Sequence, residues 1–342
     1  MAVINEAELK RHIKEKAFAR LYVIYGDESY LKQHYAVQLG EQAVSGGFRD
    51  FNFHRFEGKD VTLEELARTV ETLPLGSERS CVLLRDYPLE GSGGETEFLR
   101  FLRELPAHVV LLFWMDTADF RPKSNKALLE ALQTHGQLVQ LSRPDQAQLL
   151  RLVQAGAKRR GCTLARAEAE YLLETVGGEL NNLLNELEKL CAYAGGGALG
   201  RDQIDAVCVK SVEAKSFDMV KAVAAGDGTR ALLLLDELFR QKIAPQMLLG
   251  SLVANYVDLF RAGAMLGSGR RADDAAQLFD YKGKAFRLSN AARMASRMKL
   301  SRVCGSLAIL DAADRRLKST GLEPKLVMEQ CLFSLLGQGG GA

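Results

Sequence analysis

Over the first 144 residues, short apolar or β-rich runs alternate with stretches in which apolar residues recur every three or four positions. The runs are Leu21–Tyr25, Phe51–Phe56, Cys81–Leu84, Val109–Met115 and Gln137–Leu141, and their length and composition read as β-strands. Helical spacing fills the gaps, near 28–43, 62–72, 95–105 and 123–134. Strands separated by helices predict βαβ units and a mostly parallel sheet. VVLLFWM at 109–115 is apolar on both faces, as a central strand covered by helices on each side must be, so Phe113 and Trp114 are expected in the core. GSGGE at 91–95 reads as a surface loop.

After Pro144 the strand signal stops. Gln146–Arg159, Ala165–Val176, Glu179–Tyr193 and 201–208 are amphipathic helices, punctuated by Gly177-Gly178 and Gly195-Gly196-Gly197, where glycine accepts the left-handed backbone that ends a helix. From Val212 onward the pattern is again helical, at 216–225, 228–241, 245–266, 271–279, 286–297, 301–317 and 323–336. The fold class is therefore α/β plus all-α. Three domains are expected: an α/β domain over 1–144, a small helical domain over 145–211 and a larger helical one over 212–342.

Composition narrows the class. Of 342 residues, 47% are hydrophobic and 26% charged, ordinary for a globular protein. The opening MAVINEAELKRHIKEKAF lacks the apolar segment of a secretion signal, and no run of 18 apolar residues occurs, so a cytoplasmic protein with no membrane association is expected. The six cysteines (Cys81, Cys162, Cys191, Cys208, Cys304, Cys331) form no CxxC and are expected to be reduced and buried. The five histidines all precede residue 136 without metal spacing, and His108, opening a strand, is expected to be a satisfied structural histidine. No GxSxG is present.

LYVIYGDESYLKQ (21–33) places a strand, a glycine turn and a helix where a phosphate-binding loop would sit. A working loop needs GxxxxGK[ST], glycines for backbone N–H groups, a lysine for charge and a hydroxyl for Mg²⁺. Here Gly26 is followed by Asp27, Glu28, Ser29, Tyr30 and Leu31, and two carboxylates repel phosphate. The fourth strand ends Met115-Asp116-Thr117, without paired acidic residues. Gly-x-Gly-x-x-Gly is missing too. No catalytic, cofactor-binding or metal residues are assigned.

Charge is unevenly spread. Residues 281–325 carry 11 basic and 3 acidic residues, and 281–302 carry seven basic and none acidic. A solvated helical face explains such a run, and so does a polyanion partner. Lys282, Lys284, Arg293, Arg297, Arg315, Arg316 and Lys318 are the candidate contacts with DNA or a partner. A 286–297 helix would set Arg293 and Arg297 on one face, with Arg287 near neither.

In order along the chain, several segments resemble the delta subunit of the bacterial DNA polymerase III clamp loader, an AAA+-like family. Tyr25-Gly26-Asp27-Glu28-Ser29-Tyr30-Leu31 resembles that family's YGxExxL turn, and Phe51-Asn52 with Gly58 its next segment. Thr72 to Arg79 followed by Val82-Leu83-Leu84 is similar to its TxPFFxERxxVxV motif. Arg121, Lys123, Lys126 and Leu128 look like its basic helix start. Gly177, Leu180, Leu183, Glu186, Lys189 and Leu190 resemble its GxxLxxLxxELxKL helix pair. The stretch 217–252, then Leu310, Asp314, Lys318, Gly321 and Glu329, complete the likeness.

The resemblance implies a RecA-like AAA+ domain without a working P-loop, a helical lid and a helical collar. It implies a part of the DNA polymerase III holoenzyme with no ATPase of its own, ATP being bound by partner subunits. The implied partners are the beta sliding clamp, the tau/gamma and delta-prime subunits, and primed DNA through the assembled complex. The implied clamp-binding element is Leu73-Pro74-Leu75-Gly76. By residue type alone, Leu73 and Leu75 read rather as buried helix-end residues, and the family likeness reverses that reading. The family sets a bulky aromatic beside the leucine, whereas this chain has Leu75-Gly76, so the wedge is smaller or Leu73 and Leu75 supply it together. The rival readings are an active AAA+ or P-loop ATPase and a nucleic-acid-binding regulator that uses 281–325.

Overall fold

The computed structural model describes residues 3–44, 48–89, 95–117, 120, 126–281, 286–319 and 321–338. Arg121, Lys123, Lys282, Lys284 and residues 91–94 of the expected loop lie outside the described residues. The chain divides into two compact units, Met1–Arg143 and Pro144–Ala342.

The first unit runs α1 (Glu6–Glu15), β1 (Leu21–Tyr25), α2 (Ser29–Ala43), α3 (Arg49–Asn52), β2 (Phe53–Glu57), α4 (Leu63–Glu71), β3 (Ser80–Arg85), α5 (Glu95–Arg103), β4 (Val109–Trp114), α6 (Lys126–His135) and β5 (Gln137–Gln140). Its strands form one sheet in the order β2-β3-β4-β1-β5, every pair parallel. Ile4 adds a parallel bridge to Val139 on the far side of β5. β1 and β4 are buried at every position, because helices cover both faces. Leu66 and Val70 of α4, Phe98 and Leu102 of α5, and Leu128 and Leu132 of α6 pack with Val82, Leu111 and Phe113. Each such side chain contributes roughly 1.5–3 kcal/mol by leaving water.

Phe51 and Asn52 depart from the expected strand. They end the short helix α3, and β2 begins at Phe53. The cause is Asn52, whose buried amide bonds the backbones of Phe48 and Leu75 and turns the chain. His108 departs as well. It lies in the turn before β4, and its buried Nε2 has no hydrogen-bond partner.

The second unit contains α7 (Gln146–Arg159), β6 (Cys162–Thr163), α8 (Arg166–Val176), α9 (Leu180–Ala194), β7 (Gly197–Ala198) and α10 (Arg201–Val207). It continues with α11 (Val212–Ala224), α12 (Gly228–Arg240), α13 (Pro245–Gly267), α14 (Ala275–Leu278), α15 (Phe286–Ala295), α16 (Leu300–Ser319) and α17 (Pro324–Gly337). β6 and β7 pair in parallel, strands of two residues each where none is expected. The expected 271–279 helix is a 3₁₀ turn at Ala272–Asp274 followed by α14.

Leu149, Val153, Leu172, Leu183, Leu187 and Leu190 are buried in the stretch before residue 211. A separate core runs from Met219 through Leu235, Leu252, Leu259 and Leu310 to Leu332, drawn wholly from residues after it. Between them, Glu186 on α9 accepts from Val209 N (3.1 Å) and pairs with Lys189 (2.7 Å). Ser211 caps α11 through Ala214 N and donates its own N–H to Thr175 O. Cys81, Cys162, Cys191, Cys208 and Cys331 are buried as expected, but Cys304 on α16 is exposed.

Candidate functional site

The place of the missing phosphate loop is the junction of the carboxyl ends of β1 and β4. Gly26 there has φ +124°, and a Cβ would meet Leu141 O at 2.3 Å, so the turn has no room for a side chain. Glu28 N donates to the same carbonyl, and the Glu28 carboxylate accepts from Tyr30 N, capping α2. The start of a helix attracts anions; here the chain's own carboxylate takes that position.

One turn later, Lys32 is 3% exposed. Its Nζ donates to Met115 O (2.9 Å) and Asp116 O (2.8 Å) and lies 3.9 Å from Asp116 Oδ1. Burial pulls the Lys32 ammonium below its ordinary pKa, against the opposing pull of Asp116, Asp86, Asp27 and Glu28. Arg85 bonds Asp116 Oδ2 at 2.7 Å. Asp86, in the left-handed region at φ +53°, accepts from the N–H groups of Asp116 and Thr117. Lys32 thus gives its charge to the end of β4.

The Leu73–Gly76 segment follows α4. That helix opens with a capping box between Thr62 and Glu65 and buries Leu66 and Val70 against the sheet. It ends at Glu71, with Thr72 already extended, and Leu73, the residue before Pro74, resists helical backbone. Leu73 is 77% and Leu75 53% exposed, which removes the buried helix-end reading. Pro74 is half-buried and Gly76 exposed. Asn52, 2% exposed, holds this loop from beneath: Leu75 N donates to its Oδ1 (2.7 Å) and its Nδ2 donates to Leu75 O (2.8 Å) and Phe48 O (3.0 Å). Gly58, the other residue of that motif, has Tyr87 backbone where its Cβ would be, at 2.3 Å.

Gly76 adopts φ +61°, a conformation that costs a residue with a Cβ roughly 1–2 kcal/mol. Gly76→Ala is therefore expected to lower stability by about that amount, read from the denaturant midpoint. Phe48 and Phe51 are 48% and 67% exposed; Phe51 was not legible as a surface residue, because FNFHRF (51–56) reads as a strand that would bury alternate rings.

The basic residues are dispersed. Arg315 and Lys318 pair with Asp311 and Asp314 on their own helix, each at 2.6 Å, and Arg316 bonds Gln330 of α17. α15 ends at Ala295, so Arg297 falls in the following turn rather than on a helix face with Arg293. Arg293 lies 3.7 Å from Glu174. Arg287 is bound to Asp258 at 2.7 Å, beside Tyr281, which donates to the same carboxylate. Arg297 and Lys299 are exposed.

A family model for the DNA polymerase III delta subunit matches residues 22–142, and one for its C-terminal domain matches 213–335. The DNA polymerase III subunit delta of Bacillus subtilis is 23% identical over 340 residues, covering 95% of each chain. That of Escherichia coli is 25% identical over 232 residues, 68% of this chain and 67% of its own. Among solved structures, the Bacillus subtilis DNA clamp loader delta protein aligns with a TM-score of 0.60 at 20% identity, covering 97% of this chain and 99% of that one. The likeness extends to the fold, a parallel sheet with helices followed by a helical region. Matched at both ends by models of one subunit, the chain belongs to the DNA polymerase III delta subunit family, a component of the clamp loader.

Proposed function

We propose that this chain grips the beta sliding clamp within the loader and holds one interface of the ring open while it is placed on primed DNA. One observation carries the reading: Leu73 and Leu75 stand in water on a loop whose backbone Asn52 fixes. Apolar anchors on a fixed backbone surrender little freedom on entering a pocket, so more of their burial appears as affinity. The test is binding of the full chain to the sliding clamp of the same organism. Saturable binding is expected; none at any accessible concentration overturns the reading.

The chain itself takes no cofactor in this reading, and ATP is bound and hydrolysed by the tau/gamma subunits. The Glu28 cap and the Lys32 contacts support this, since each fills part of what a nucleotide phosphate would use. The 145–211 helices serve as lid and the 212–342 helices as collar, joining the tau/gamma and delta-prime subunits in the cytoplasm. Leu233, Met247 and Phe333 are more than half exposed, apolar surface suited to neighbouring subunits.

Of the proposed contacts with primed DNA that lie among the described residues, Arg297 is the least committed to partners within the chain. Arg297→Ala is expected to flatten the log–log salt dependence of primed-DNA binding by the assembled loader by about 0.7–0.9. Replacing Arg315 and Lys318, whose acidic neighbours already answer them, is expected to leave that slope unchanged. A salt titration of each variant complex checks both.

A further inference from the structure

We infer that the clamp-gripping surface is assembled from two chain segments, with Phe48 and Phe51 contributing to it beside Leu73 and Leu75; this rests on the clamp-binding reading above. Phe48 and Phe51 stand with ring centroids 6.4 Å apart, in an edge-on arrangement. A Cβ at Gly76 would meet Phe48 Cδ2 at 2.7 Å and Cε2 at 3.0 Å. The Phe48 ring therefore lies across the residue that follows Leu75. Asn52 ties both segments together, bonding Phe48 O with one arm and Leu75 with both.

With the Phe48 ring against Gly76 and Phe51 beside it, the aromatic pair adjoins the loop that carries Leu73 and Leu75. On this reading the four exposed side chains serve as one apolar surface. A protein pocket that receives Leu75 would then also meet Phe48, because Gly76, between them, carries no side chain. Arg49, Glu71 and Glu78 are exposed nearby in the two segments, and Arg49 is paired with Glu41. An apolar centre with charged residues at its margin is the anatomy of a protein–protein interface. Aromatic rings are the side chains most often found to dominate such interfaces. The occupant is the sliding clamp, since the surface is continuous with the tip assigned to it.

The experiment compares the unmodified full chain, Leu73→Ala/Leu75→Ala and Phe48→Ala/Phe51→Ala for clamp affinity by surface plasmon resonance, with thermal melts alongside. The aromatic pair is expected to lose at least tenfold in affinity with its melt little changed. Hydrogen exchange on the unmodified chain is expected to show 48–52 protected together with 72–77 when the clamp is added. If the leucine variant is weakened but the aromatic variant binds normally and 48–52 gains no protection, the two-segment surface is overturned while the tip reading stands. If the leucine variant also binds normally, both fall. If the aromatic variant does not fold, the exchange result decides alone: protection of 48–52 supports the inference, and its absence overturns it.

Discussion

Replacing Leu73 and Leu75 together by alanine is expected to weaken clamp binding by about 2–5 kcal/mol, the range of a truncated hot spot. The argument is a difference between two states. In the free chain both side chains face water, so their removal takes little from the core; in the complex each leaves an unfilled apolar hollow in the partner. The Asn52 bonds reach only the backbone of residue 75 and survive the change. Calorimetric titration with the clamp and a denaturant melt of the free chain separate the outcomes. A variant that unfolds but binds normally per folded molecule would place these leucines in the core and remove them from the interface.

The second large effect is expected at Lys32. Lys32→Met keeps the aliphatic stem and removes the charge, leaving Met115 O and Asp116 O without their donor. Leaving a buried acceptor without its donor costs about 1–3 kcal/mol, and with two such carbonyls a loss toward the upper end of that range is expected in chemical denaturation. The pH dependence follows from the lowered ammonium pKa. Between that lowered value and the ordinary 10.5, the unfolded chain holds the proton more often than the native one, so the native chain gains stability from this group as pH rises. The methionine variant lacks that gain, and its deficit should widen across this window. ATP should raise neither protein's midpoint, because the Glu28 carboxylate still caps α2. A nucleotide-dependent rise in stability would contradict the reading of this junction as self-filled.

Much of the first unit was legible. β1 and β4 are apolar on both faces, and burial on both faces admits few alternatives to a central parallel strand. Strand order was not, since β1 sits between β4 and β5 through contacts far apart in sequence. Phe51 and Asn52 were misassigned because their neighbours alternate like a strand; what overrides the alternation is an amide bonded to a residue 23 positions away. β6 and β7, at two residues each, are too short to have a period. The end of α15 at Ala295 carries no glycine or proline, and so Arg297 was placed on a helix it does not join. Residue type favoured burial of Leu73 and Leu75, and only the family likeness pointed to their exposure. Nothing in the sequence marked Phe48 as their neighbour.

The Asn52 contact holds position 75 by its peptide groups alone. What the loop presents and where it presents it are thus set by different atoms. A side chain at 73 or 75 can be exchanged without changing the anchor, and a change at Asn52 would misplace whatever side chain stands there. Recognition at this tip is accordingly free to drift with the shape of a partner's pocket, one substitution at a time, while the aim of the loop stays constant.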